Sequence, residues 1–110
     1  MTTKTLKSLM AALAVLLSLS ARAHNVEVNG IYYNINSTDK TATVTYKGTS
    51  SSNRDYYGSV VIPASIVNGG ITYAVTSIGY NAFYSCSGLT TVSIPNSVTS
   101  IGISVFSYCI

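Results

Sequence analysis

The chain has 110 residues, of which only 8% are charged, with six Lys or Arg against three Asp or Glu. Three of the basic residues lie in the first 23 positions, so basic and acidic side chains balance in the rest and no basic patch for nucleic acid is expected. Residues 24–110 suffice for one small domain, which would bury roughly 60–65% of its unfolded surface.

The first predicted element is an export signal over residues 1–23. Two lysines precede an apolar run from Leu9 to Leu19, and small residues follow at Ala21 and Ala23. This pattern is typical of a secretory signal peptide cleaved after Ala23, with a short buried helix as the alternative. The run is too short to cross a bilayer, which needs about 20 apolar residues. We therefore expect a secreted or cell-surface protein with no transmembrane segment after cleavage.

A β-hairpin is predicted next, as part of an N-terminal cap over residues 24–58. Apolar residues alternate in both halves of this segment, and "NSTDK" between them has turn composition. A polar loop, Gly48–Gly58, completes the cap; its adjacent tyrosines, Tyr56 and Tyr57, either contact a ligand or cover the edge of the cap. The alternating residues are Ile31, Tyr33 and Ile35 in the first strand and Ala42, Val44 and Tyr46 in the second.

From Val75 onward the sequence repeats at an offset of 23 residues. "VTSIGYNAFYSC", Val75–Cys86, returns as "VTSIGISVFSYC", Val98–Cys109, with seven identical positions. A fixed period between about 20 and 50 residues indicates a solenoid. In "LTTVSI", Leu89–Ile94, the spacing of Val92 and Ile94 is that of a strand, and Pro95 ends it.

Each predicted coil offers one narrow apolar face that only a neighbouring coil can cover. Gly79 and Gly102 suit a turn with positive φ, and "YNAFYSC" is long enough for one helical or 3-10 turn. The two Cys fall at equivalent positions; we prefer buried thiols to a disulfide, although strand spacing would allow either. The predicted structural core comprises Val75, Ile78, Phe83, Cys86, Leu89, Val92, Ile94, Val98, Ile101, Phe106 and Cys109.

The repeat region is predicted to cover residues 59–110. It begins with an atypical coil at 59–86, whose "NGG" is a hairpin signal, and continues with units at 75–97 and 98–110, the last incomplete. The sequence stops before the strand expected after Cys109. We interpret this as a fragment of a longer array; the alternative is a short protein closed by self-association through its open C-terminal end.

The residues "CSGLTTVSIPNSVTSIG", Cys86–Gly102, with the flanking "NAFYSC", resemble the BspA-type leucine-rich repeat family of bacterial surface proteins. The resemblance covers Val75–Cys109. It implies a mainly β leucine-rich-repeat solenoid of 23-residue units behind a β-hairpin cap. It also implies export and binding of host proteins or other cells.

Residues for catalysis, cofactors or metals are not recognisable. His24 is the sole His and falls at the predicted mature terminus, where a frayed chain would be a poor place for a catalytic base. Glu27, Asp39 and Asp55 are scattered, and two Cys 23 positions apart match no zinc pattern. The chain is therefore expected not to be an enzyme and to need no cofactor.

The predicted function is a binding or adhesion scaffold for proteins or glycans. On the repeat strand, Thr90, Thr91 and Ser93 are expected to point outward and to contact the partner, because solenoids commonly bind through the face that their strands form. The alternative is an accessory repeat region of a longer secreted enzyme whose catalytic domain lies elsewhere.

Overall fold

The computed structural model describes residues 24–48 and 56–109. The predicted signal peptide, its cleavage after Ala23, and Asp55 lie outside the described residues. The described chain forms strands and turns and contains no helix. The strands, in chain order, are β1 (Val26–Val28), β2 (Ile31–Asn36), β3 (Thr41–Thr45), β4 (Gly58–Val61), β5 (Ser65–Asn68), β6 (Ile71–Ile78), β7 (Leu89–Ser93) and β8 (Ser100–Ile101).

The cap contains the predicted hairpin and one further strand. β2 and β3 pair antiparallel, with Tyr33 opposite Val44, and both of these side chains are fully buried. Asn36 closes the turn, because its Oδ1 accepts hydrogen bonds from the backbone N–H groups of Thr38 and Asp39, each at 3.0 Å. β1 pairs antiparallel with the outer edge of β2. Its three residues are too few to give a recognisable sequence pattern.

β6 joins the cap to the repeats. It forms a hairpin with β5 through Gly69 and Gly70, which both have positive φ as a tight hairpin turn requires. β6 also pairs in parallel with β3 of the cap and with β8 of the last coil. The resulting sheet has the strand order β1-β2-β3-β6-β5, with β8 on β6.

A second sheet holds the repeat strands β4 and β7. They pair in parallel, with Val60 opposite Val92, and the ladder continues past β4 through a bond from the N–H of Ile62 to the carbonyl of Ser93 at 3.0 Å. Parallel pairing of equivalent strands in successive coils is the arrangement that the repeat predicts.

Successive coils also bond to each other outside the strands. The N–H groups of Phe83 and Ser85 donate to the carbonyls of Val105 and Ser107 at 3.1 and 2.8 Å. Inside the stack, the rings of Phe83 and Phe106 lie face to face, with centroids 5.5 Å apart and planes 4° from parallel. The mainly β leucine-rich-repeat fold predicted from the sequence is thus confirmed.

The segment after Gly79 is built from tight turns instead of the expected helical or 3-10 turn. The N–H of Cys86 donates to the carbonyl of Phe83 at 3.2 Å, and Ser85 between them has a φ of 58°. Positive φ at the third residue is typical of a type II turn. The non-glycine residues with positive φ recur at the repeat offset, with Asn81 and Ser85 in one coil and Ser104 and Tyr108 in the next.

The expectation that Gly79 and Gly102 provide positive φ is wrong, since neither is among the residues with positive φ. Their role is close approach to a neighbouring layer, the cap strand β3 for Gly79 and the preceding coil for Gly102. A Cβ added to Gly102 would lie 2.6 Å from the backbone nitrogen of Tyr80, and one on Gly79 would lie 3.3 Å from the carbonyl oxygen of Val44. The repeat therefore keeps glycine where a side chain would separate adjacent backbones.

The predicted core residues differ in how deeply they lie. Val75, Ile78, Phe83 and Cys86 are buried, whereas Leu89, Val92, Val98 and Cys109 are partly buried against them. Both Cys are thiols, without a disulfide between them. Residues outside the predicted core set are buried as well: Ile31, Tyr33, Ala42, Val44, Tyr56, Ile62, Ile66, Tyr73, Ala82 and Val105.

Three predicted core residues are exposed instead: Ile94 by 38%, Ile101 by 52% and Phe106 by 43%. Ile94 and Phe106 line an open groove of about 400 Å³ together with Cys109. Ile94 directly follows β7, and Ile101 and Phe106 belong to the last described coil, over which no described residue packs. Burial at these positions depends on a following coil, whereas their equivalents one coil earlier, Ile78 and Phe83, are covered.

Candidate binding surface

The paired strands β4 and β7 present one continuous outward face. Ser59 and Val61 lie opposite Thr91 and Ser93, and all four are exposed. The alternate residues point inward, because side chains of a strand alternate between its faces. Ile62 accordingly is buried, and Val60 and Val92 are half-buried.

The residues predicted to contact a partner lie on or beside this outward face. Thr90, Thr91 and Ser93 are exposed. The Thr91 hydroxyl donates to the Ser59 hydroxyl across the two strands at 2.8 Å. Thr90 lies at the register shift where Gly58 pairs with Leu89 but Ser59 pairs with Thr91.

The repeat surface carries no formal charge over the described residues 56–109, which contain no Asp, Glu, Lys, Arg or His. The described His, Asp, Glu and Lys residues all lie in the cap: His24, Glu27, Asp39, Lys40 and Lys47. The outward face of β4 and β7 therefore presents hydroxyl groups, backbone groups and short apolar side chains. These groups suit an uncharged ligand, because they hold no counter-ion for a phosphate, a carboxylate or an ammonium group.

A groove runs beside β4, between that strand and the turn joining β1 to β2. Its two halves measure about 450 and 390 Å³ and share Asn29, Ile31 and Val61 as lining residues. Sequence reasoning missed this groove because its walls lie about 30 positions apart in the chain. No local pattern could have indicated that the β1–β2 turn faces the first repeat strand.

The two adjacent tyrosines of the loop have separate roles. Tyr56 is buried and holds the cap: its hydroxyl donates to the carbonyl of Thr45 at 2.6 Å and accepts from the N–H of Tyr32 at 3.0 Å. Its ring lies 4.7 Å from that of Phe83, which continues the row of rings from the repeats into the cap. Tyr57 is 78% exposed and lines the groove beside β4.

His24 is anchored, contrary to the expectation of a frayed terminus. Its Nδ1 accepts a hydrogen bond from the N–H of Gly48 at 2.8 Å, and its ring meets that of Tyr32 edge-on at 5.1 Å. Across residues 24–48 and 56–109, no three His, Cys, Asp or Glu side chains gather where they could hold a metal ion. In the same residues, no helix is long and apolar enough to cross a membrane.

Tyr33 is a buried polar residue with an unusual environment. Its side chain is fully buried at the floor of the groove beside β4, and its hydroxyl finds no hydrogen-bond partner among the described residues. Burial raises the pKa of Tyr33 from 10.0 to about 12, since the charged phenolate would lose its hydration there. The hydroxyl therefore remains a neutral donor throughout the physiological range.

The match to a known protein family lies in the repeat region. The family description "BspA type Leucine rich repeat region (6 copies)" matches residues 59–110, which hold β4 to β8 and the stacked coils. The resemblance to the BspA-type leucine-rich repeat family is confirmed over residues 59–110. No curated protein matches the chain at a significant level.

Two solved structures of leucine-rich repeat proteins resemble the chain over most of its length. The protein from Bacteroides ovatus is 30% identical with a TM-score of 0.66, and the match covers 78% of this chain. The protein from Bacteroides capillosus is 35% identical with a TM-score of 0.60 over 76% of this chain. The match spans 21% of the first structure's chain and 58% of the second's.

Proposed function

We propose that the protein is an exported, non-catalytic binding scaffold that takes a protein or glycan partner on the outward face of β4 and β7. The observation that carries this proposal is the exposed, uncharged row formed by Ser59, Val61, Thr91 and Ser93. A flat face of this kind grows with each added coil, which is how solenoids make extended binding surfaces. The BspA-type repeat region and its two structural relatives support the scaffold role.

Export is part of the proposal and rests on residues 1–23. Two lysines, the apolar run and the small residues before His24 form a signal-peptide pattern. We expect the mature protein to begin at His24 and to be found outside the cell or on its surface. Amino-terminal sequencing of protein recovered from the medium or the envelope checks this, and a mature chain that still begins at Met1 would refute it.

The binding face is tested with a charged triple variant, Thr90→Glu, Thr91→Glu and Ser93→Glu. All three side chains are exposed, so the fold should survive while binding of an uncharged partner falls by about tenfold or more. Binding is measured on protein and glycan arrays, followed by titration of any ligand found.

The matched control places the same three charges elsewhere, as Ser37→Glu, Thr38→Glu and Thr72→Glu. These residues are exposed in the hairpin turn and on β6, away from the β4–β7 sheet. Equal loss of binding in both triples would indicate a general charge effect. Unchanged binding in the strand triple would move the site away from this face.

A further inference from the structure

The groove beside β4 has a second feature, an unpaired strand edge. β4 pairs with β7 alone among the described strands, because the cap strands pair with β6 instead. Ile62 donates its N–H towards β7, and backbone groups of a strand alternate in direction. The N–H and C=O groups of Ser59 and Val61 therefore point away from β7, and both residues line the groove.

The unpaired edge of β4 determines which kind of ligand could bind in the groove. Alternating donors and acceptors at strand spacing match the backbone of another extended polypeptide, which is the basis of binding by strand addition. The groove is also lined by Ile31 and Tyr32 of β2 and by the exposed Tyr57 just before β4, which side chains of an occupant could contact. The Tyr33 hydroxyl at the floor is a buried donor still lacking a partner among the described residues.

The charge state of the groove lining further restricts the kind of peptide that could bind. Among the described residues, none that lines either half of the groove is charged. The carboxylate closest to it by a described contact belongs to Glu27, and that group already accepts from the N–H of Gly30 at 2.9 Å. An Asp or Glu of a bound peptide would gain no counter-ion from the described lining and would lose hydration, and a Lys or Arg could pair only with the exposed Glu27 carboxylate beside Gly30.

We infer that the groove between β4 and the β1–β2 turn binds an extended, uncharged peptide segment that pairs with the backbone of Ser59 and Val61. The inference rests on the proposed scaffold function but assigns a different surface, the edge of the sheet instead of its outward face.

A suitable probe is the acetylated, amidated peptide LTTVSIP, which repeats the sequence Leu89–Pro95. It is uncharged, and the same sequence already pairs with the other edge of β4. The peptide is titrated into the ¹⁵N-labelled protein made from the full chain. Saturable binding is expected, with hydrogen exchange of the Ser59 and Val61 amides slowed by about tenfold or more.

The matched variants are Val61→Pro and Val61→Ala. Proline is tolerated on an edge strand and removes the N–H that points into the groove, so peptide affinity should fall by about tenfold. Alanine keeps that N–H and should lower affinity by less than about threefold. Should Val61→Pro unfold the protein, Ser59→Pro replaces it, with Ser59→Ala as its control.

Three results would overturn the inference. The first is no binding of the peptide, and the second is binding that changes the amide signals of Thr90, Thr91 and Ser93 but not those of Ser59 and Val61. The third is a change in the groove signals caused by a neutral oligosaccharide such as cellohexaose and not by the peptide. The proposed function is judged separately by the charged triple variants. In one outcome, the triple variant of Thr90, Thr91 and Ser93 loses ligand binding while the peptide causes no change at the groove. That result would support the scaffold proposal and refute the peptide site alone.

Discussion

Buried tyrosine hydroxyls show how similar residues can have opposite energetic roles. Tyr33 and Tyr56 are both buried in the cap, yet only the Tyr56 hydroxyl has described partners, the carbonyl of Thr45 and the N–H of Tyr32. Burying a hydroxyl without a partner is unfavourable, whereas removing a bonded one leaves its partners unsatisfied. Alternation in the sequence placed Tyr33 on the same strand face as Ile31 and Ile35, but the hydrogen bonding of a buried hydroxyl depends on residues far along the chain.

The Tyr33→Phe variant should therefore be as stable as the wild type, or more stable by up to about 1 kcal/mol. Tyr56→Phe is the matched control and should lose about 1–3 kcal/mol, because the Thr45 carbonyl and the Tyr32 N–H lose their partner. Urea denaturation near neutral pH measures both. Equal destabilisation by the two variants would show that the Tyr33 hydroxyl is satisfied.

The same residue gives an alkaline pH dependence. The folded pKa of Tyr33, about 12, lies above the ordinary value of 10.0, so its contribution to stability is fully present below pH 10 and is lost as the pH rises towards 12. The free energy of unfolding should fall by up to about 1.4 kcal/mol per pH unit in this window through Tyr33. Tyr33→Phe should show a shallower fall, and parallel curves for the two proteins would contradict the assignment.

Glycine provides the third residue-level prediction. Gly102→Ala should destabilise the protein by about 1–3 kcal/mol, since the new Cβ would meet the Tyr80 nitrogen at 2.6 Å and push two backbones apart. Gly88→Ala is a milder control, because its Cβ would lie 3.3 Å from a single side-chain atom, the Cβ of Tyr57. Thermal melts compare the two. A greater loss in the Gly88 variant would contradict close approach as the reason for glycine at 102.

At the scale of elements, the repeat offset accounted for most of the coil architecture. The β6–β8 pairing and the Phe83–Phe106 stack follow the 23-residue period, whereas β4 and β7 pair at a larger offset, 92 − 60 = 32 positions from Val60 to Val92, because the first coil is longer. Alternation likewise predicted the β2–β3 hairpin. The parallel pairing of β3 with β6 was not predictable, because the two strands share no repeat and meet only through the folded cap. The groove beside β4 escaped prediction for the same reason.

The two cysteine positions of successive coils should differ in reactivity. Cys86 is buried, whereas Cys109 is partly exposed and its thiol donates to the Phe83 carbonyl at 2.8 Å. A thiol-alkylating reagent should modify Cys109 first in the native protein and reach Cys86 only on unfolding. Mass spectrometry without reductant follows the two additions. A two-hydrogen loss that prevents alkylation would instead show a disulfide.

At the scale of the whole molecule, the protein is a cap joined to stacked coils, and each coil is stabilised by its neighbours. The row of rings from Tyr32 through Tyr56 and Phe83 to Phe106 crosses the cap and both coils, with neighbouring centroids 4.7 to 5.7 Å apart. The exposure of Ile101 and Phe106 identifies the outer face of the last coil as the surface on which a further coil would pack. In such an array, stability is a sum over units and the interfaces between them.

The thermal midpoint of the protein with zero, one and two added 23-residue units tests this account most directly. Each unit repeats Leu89–Cys109 with its flanking residues, so that a new phenylalanine stacks on Phe106 and a new strand pairs with β7. We expect a single thermal transition whose midpoint rises with each added unit. Units that carry Gly→Val at the position of Gly102 should give no rise in the midpoint. An unchanged midpoint with separate melting of the added units would contradict the stacked-coil account.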